Sequence, residues 1–159
     1  MDDRETRKVR VLIADDSPVM LRILAQILEA EGYFTLVGSV TDGSQAVRQT
    51  LNLKPELVLM DYSMPRMNGI NATRCIKQVQ DPPFVIIITS NDTPACKTLT
   101  EAAGADGFVL KGKDLHHQLR MALRGLFQFS TKTLPRQDGL ELEGGGSTNN
   151  PDKPGDPDQ

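Results

Sequence analysis

Residues 9–14, VRVLIA, run apolar almost without a break into the pair Asp15-Asp16. The next apolar residues, Met20, Ile23, Leu24, Ile27 and Leu28, recur at helical spacing. That change of period predicts a strand and then a helix with one apolar stripe. Ser17-Pro18 opens the helix, with Asp16 or Ser17 as N-cap and Pro18 in the first turn. Gly32 closes it where a left-handed residue is wanted. The same alternation returns four times. FTLVGSV (34–40) leads to GSQAVRQTLN, ELVLM (56–60) to GINATRCIKQVQ, FVIIIT (84–89) to DTPACKTLTEAAGA, and GFVLK (107–111) to DLHHQLRMALRGLFQF. Asp92 or Thr93 caps the fourth helix, and Leu115, Leu119, Ala122, Leu123 and Leu126 line one side of the fifth.

Strand and helix repeated five times predict an α/β domain with a parallel sheet and right-handed crossovers. The strands are apolar on both faces, so helices must cover both. Ligands of such open sheets bind beyond the carboxyl ends of the strands. The first, third, fourth and fifth strands end near Asp15, Asp61, Thr89 and Lys111, each polar or charged, which places these residues at one rim.

Composition narrows the class. The chain has 159 residues, 38% hydrophobic and 25% charged, with a net charge of −3. That balance favours neither nucleic acid nor an anionic membrane as default partner. No apolar run approaches the roughly 20 residues of a membrane helix, and the polar start MDDRETRKVR lacks the centre of a secretory signal. Cys75 and Cys96 are expected to be reduced packing residues of a cytoplasmic protein. After residue 130 the composition turns to Gly, Pro, Asp and Asn. Residues 131–159 are expected to be a disordered polar tail with no output domain, residues 1–8 a flexible N-terminus, and 9–130 the folded domain. Whether the chain is complete or a piece of a longer regulator stays open.

The rim residues suggest chemistry. Two adjacent carboxylates have a plain structural role as a helix cap with a solvated neighbour. A third, Asp61, at a nearby strand end makes an oxygen-rich site suited to Mg²⁺, which takes octahedral oxygen ligands at roughly 2.0–2.1 Å. His116 and His117 lie on the last helix, so a softer metal is not expected. Lys111 either sits on the surface or pairs with a carboxylate, and its ammonium also suits a phosphoryl oxygen. A carboxylate nucleophile can take a phosphoryl group as a mixed anhydride when cations neutralise the incoming charge.

With Asp15-Asp16, MDYSMPRMNG around Asp61, IIITSN with Thr89, and GFVLK with Phe108 and Lys111, the chain resembles the receiver domain of two-component response regulators. It is similar to the chemotaxis-type single-domain regulators. The resemblance implies a flavodoxin-like (βα)5 fold with a doubly wound parallel sheet, strand order 2-1-3-4-5. It implies a non-enzymatic signalling protein that catalyses only its own phosphorylation and dephosphorylation. Asp61 would be the phosphoacceptor, served by a histidine kinase or a histidine phosphotransfer protein. Asp15, Asp16, Asp61 and the Ser63 backbone carbonyl would hold Mg²⁺. Thr89 and Phe108 would form the switch, and Ser63 and Asn91 would tune hydrolysis. The face of the fourth helix, fifth strand and fifth helix would control an output protein in trans or support a homodimer. One departure stands out: Gly112 follows Lys111 where the family usually has proline. Two other readings compete, a phosphorylation-independent adaptor and an Asp-nucleophile phosphatase. The phosphatase would need a second Asp two residues after the nucleophile, where Ser63 stands.

Overall fold

The computed structural model describes residues 7–127. Strands β1 (Val9–Ala14), β2 (Phe34–Val40), β3 (Leu57–Asp61), β4 (Phe84–Thr89) and β5 (Gly107–Leu110) alternate with helices. The helices are α1 (Pro18–Glu31), α2 (Gly43–Leu53), α3 (Gly69–Ile76), α4 (Pro94–Ala102) and α5 (Leu115–Phe127). All strand pairings are parallel, in the order β2-β1-β3-β4-β5. This is the flavodoxin-like arrangement. Strand order reverses between β1 and β3, and a crevice opens at such a point beyond the carboxyl ends.

The period-2 alternation of side chains splits each strand between two cores. Val11, Ile13, Leu57, Leu59, Ile86, Ile88 and Val109 pack under α1 and α5, against Leu24, Ile27, Leu28, Leu119 and Leu123. Leu12, Ala14, Val58, Met60, Val85 and Ile87 pack on the other face, against Ala46, Ile70, Ala72 and Ile76. Each fully buried Leu or Ile contributes roughly 1.5–3 kcal/mol, so the central strands fix the frame on which their tips sit. Ser17 and Thr93 are the N-caps, accepting from Met20 N and Cys96 N, and Gly32 takes the left-handed position after α1.

Four expectations need correction. Ile23 is 37% exposed: Met20, Leu24, Ile27 and Leu28 already fill the face toward the sheet, and Ile23 falls on its flank. Cys75 is exposed, because α3 buries Ile70, Ala72, Thr73 and Ile76 instead; Cys96 is buried as expected. Helix α3 ends at Ile76 rather than at residue 80. There Gln78 N and Val79 N bond three residues back, to Cys75 O and Ile76 O, and Lys77 turns to Asp106 at 2.6 Å. Strand β3 starts and ends one residue later than expected, so Asp61 itself is its last residue. Residues 1–6 and 128–159, on which the expected N-terminal segment, the expected polar tail and the last two residues of the expected fifth helix fall, lie outside the described residues.

Candidate phosphoacceptor site

The site extends the pattern of the core. Val11 and Ile13 face α1 and α5, and two residues on the same face becomes Asp15. Leu57 and Leu59 lead likewise to Asp61, and Val109 to Lys111. Backbone bonds carry the sheet one residue past the strands: Asp15 N to Val40 O (3.1 Å), Tyr62 N to Ile88 O (3.1 Å) and Lys111 N to Thr89 O (2.8 Å). The apolar stripe thus ends in two carboxylates and an ammonium.

Lys111 Nζ lies 3.0 Å from Asp15 Oδ2 and 3.1 Å from Asp61 Oδ1. Asp15 is fully buried, Asp61 is 5% exposed, and Asp16 is exposed. Burial pushes the Asp61 carboxyl up to about 6. The charge of Asp15 adds to this, while Lys111 and the Ser63 N–H oppose it. Burial alone would lower the Lys111 ammonium, but the Asp15 and Asp61 carboxylates outweigh it and hold Lys111 above its ordinary value. The site therefore favours a cation, and one lysine faces two acids.

Asp15, Asp16 and Asp61 each offer an oxygen within 4.8 Å of the others. Asp15 Oδ1 accepts from Ser17 N at 2.9 Å. The buried Oδ2 is ion-paired with the Lys111 ammonium at 3.0 Å. Three carboxylates whose oxygens lie together, with one ammonium beside them, form an oxygen-rich donor set that fits a hard oxygen-seeking cation. His116 and His117 are exposed on α5 and do not join this cluster.

The loop after Asp61 is tightly pinched. Gly69 N donates to Tyr62 O at 2.9 Å. A Cβ on Gly69 would lie 2.0 Å from the Asp61 carbonyl oxygen, so glycine is required by close approach. Asn68 caps α3, accepting from Asn71 N at 2.8 Å. A cleft of about 410 Å³ lined by Asp16, Tyr62, Ser63, Met64, Pro65 and Asn68 opens beside the carboxylates. A larger groove of about 780 Å³, with Glu56, Phe84 and Phe127 in its wall, lies at the opposite end of the strands.

The response regulator receiver domain, as a sequence family, matches residues 11–123. The chain belongs to this family. The chain is 33% identical over 137 residues to the transcriptional regulatory protein YdfI of Bacillus subtilis (strain 168), covering 84% of this chain and 64% of YdfI. The chain spans less than two thirds of the length of curated relatives such as this one. Its fold matches the signal receiver domain of the response regulator NarL from Mycobacterium tuberculosis with TM-score 0.71 and 28% identity, over 78% of this chain and 99% of that one. It matches the CheX-CheY-BeF3-Mg²⁺ complex from Borrelia burgdorferi with TM-score 0.71 and 27% identity, over 76% and 90%.

The receiver fold gathers Asp15, Asp16, Asp61 and Lys111, as the sequence suggested, and Lys111 faces two carboxylates rather than one. Thr89 sits at the neighbouring tip, 3% exposed, with its Oγ1 accepting from Asn91 N at 3.1 Å. Phe108 is partly buried against the α2/α3 core. Ser63 and Asn91 are exposed. Sequence reasoning missed Asp42 and Arg66, whose ion pair at 2.7 Å ties the receiver's β3–α3 loop to α2. The N-cap position of Asp42 before GSQAV was legible, but its partner, 24 residues away, was not.

Proposed function

We propose that this receiver domain is a phosphorylation-dependent switch with Asp61 as acceptor. The carrying observation is Lys111, 3.0 and 3.1 Å from two acids beside a third. The donor is a phosphohistidine on a histidine kinase or phosphotransfer protein. A carboxylate oxygen of Asp61 bonds to phosphorus, the P–N bond breaks, and the imidazole leaves with its electron pair and takes a proton. Lys111 offsets the charge of the arriving group and holds Asp61 oriented. Asp15 and Asp16, with Asp61 and the Ser63 carbonyl, would hold Mg²⁺, which when bound neutralises phosphoryl charge. The Borrelia relative, solved with BeF3 and Mg²⁺, supports that ligand chemistry.

The acyl phosphate adds about −1.5 to −2 charge. Thr89 then turns from Asn91 N to the phosphoryl group, and Phe108 follows inward. The readout is the face of α4, β5 and α5, where Leu99 and Met121 are exposed apolar residues. That face fits an output protein in trans or a second receiver. Ser63 and Asn91, both exposed, leave water access for self-hydrolysis. A cytoplasmic location agrees with the described helices, none of which is long and apolar enough to cross a membrane.

The test is label transfer from phosphorus-labelled acetyl phosphate. Mg²⁺-dependent label on the wild type and none on Asp61→Asn is expected. Equal labelling of both, or labelling indifferent to Mg²⁺, would overturn the assignment.

A further inference from the structure

The loop between Asp61 and α3 is closed at its base by Gly69 N and Tyr62 O. Its crown has no regular structure of its own, yet it is tied down twice. Gly43 N, at the start of α2, donates to Met67 O at 3.0 Å. Arg66 Nη1 reaches Asp42 Oδ2 at 2.7 Å. The two partners differ in burial: the Asp42 side chain is 2% exposed, that of Arg66 71%. Asp42 is also fixed from behind, since its Oδ1 accepts from Gln45 N at 2.8 Å as the N-cap of α2. The Gln45 N–H first, and Arg66 after it, hold the Asp42 carboxyl below its ordinary value. Arg66 itself has φ +65, a left-handed conformation that a non-glycine residue keeps only when its surroundings impose it.

We propose that Asp42 and Arg66 are positioning residues for the acceptor site: a carboxylate planted at the N-cap of α2 clamps the loop crown and so fixes the Ser63 carbonyl for divalent-cation binding. This deepens the proposed function and rests on it. The physical reason is preorganisation. A cation held partly by a loop carbonyl must otherwise order that loop as it binds, and the ordering weakens affinity. The clamp orders it in advance. Asp42 and Arg66 do not themselves touch the acceptor, so their effect passes through the backbone of residues 62–68.

The test uses Mg²⁺ titration of the full chain by calorimetry, with thermal unfolding as the folding control. Asn is also a good N-cap, so Asp42→Asn keeps the Gln45 bond while removing the ion pair. Arg66→Gln removes an exposed side chain, and Arg66→Lys retains the charge as the conservative rescue. Preorganisation predicts that Asp42→Asn and Arg66→Gln each weaken Mg²⁺ binding about threefold to tenfold, less than loss of a residue bonded directly to a ligand. The double variant should be no weaker than either single, the sign of one shared interaction, and Arg66→Lys should recover part of the loss. Plain long-range electrostatics predicts opposite signs, since one variant removes a negative charge and the other a positive one. Opposite signs, unchanged affinities, or losses that multiply in the double variant overturn the clamp. A wild type that binds no Mg²⁺ overturns the acceptor reading itself, and the two failures are told apart by that first titration.

Discussion

Lys111 Nζ stands 3.1 Å from Asp61 Oδ1 although β4 lies between their strands. Neighbouring strands are about 4.8 Å apart, so only a long side chain at the tip of β5 spans the tip of β4. Removing it leaves two buried acids facing each other. We expect Lys111→Ala to lose about 1–3 kcal/mol of stability at pH 7.5 in chelator, the lower end following if Asp61 takes up a proton. The ammonium also competes with a divalent ion for the same oxygens. Mg²⁺ should therefore bind Lys111→Ala at least as tightly as wild type, while phosphoryl uptake falls tenfold or more. Calorimetry and label transfer on one sample check the split, and Mg²⁺ binding lost together with labelling would contradict it.

Asp61 gives the site a pH signature. Burial pushes its folded carboxyl up to about 6, above the ordinary 3.8. Between those values the native state holds a proton that the unfolded chain has lost, so this group's contribution falls as pH rises through the window. At pH 7.5 the full difference, roughly 3 kcal/mol, opposes folding. Asp61→Asn should therefore be more stable than wild type by about 1–3 kcal/mol at pH 7.5 without Mg²⁺, since Lys111 loses one partner and reduces the gain. Near pH 4 the gain should nearly vanish. Urea unfolding of both proteins at the two pH values reads it, and a gain independent of pH would exclude burial of this charge as the cause.

These expectations rest on parts of the molecule that were legible in unequal degree. The strands were legible because Leu57–Met60 and Val85–Ile88 are apolar at every position, which only a strand buried on both faces requires. Asp15, Asp61 and Lys111 were legible because each interrupts such a run at its end. The span of Lys111 across β4 was not, since it depends on strand order and side-chain reach. Ile23 and Cys75 misled because helical spacing gives a stripe but not the width of the face that the sheet covers. Arg66 gave no signal: an exposed arginine in a turn reads as a solvated charge, and its left-handed backbone and its bond to Asp42 exist only in the folded chain.

Thr89 holds a bond that the proposed switching would break. Its Oγ1 accepts from Asn91 N in this structure, and the same hydroxyl is the one proposed to meet the phosphoryl group. Addition of beryllofluoride with Mg²⁺ should therefore shift the Asn91 amide resonance and reduce its protection from hydrogen exchange. Thr89→Ala should still accept label at Asp61, yet leave the resonances of Leu99 and Met121 near their resting positions. Thr89→Ser should behave as wild type. Shifts of α4 and α5 that are unchanged in Thr89→Ala would remove Thr89 from the switch.

Gly112 separates backbone strain from crowding. Its φ is +148, and an added Cβ would meet nothing within 4 Å. Any loss on substitution must then come from the left-handed backbone. Gly112→Ala should cost about 1–2 kcal/mol despite the open space. Gly112→Pro should cost more, because the ring fixes φ near −65° and the loop must move, carrying Lys111 with it; label uptake should fall along with stability. Gly125, within α5, is the control. It too has open space around it but no positive φ, so Gly125→Ala should stabilise by roughly 0.5–1 kcal/mol through helix propensity alone. Thermal unfolding of the three variants decides the matter: opposite signs at 112 and 125 tie the Lys111 loop to its glycine, and equal signs would mean that the loop adapts freely.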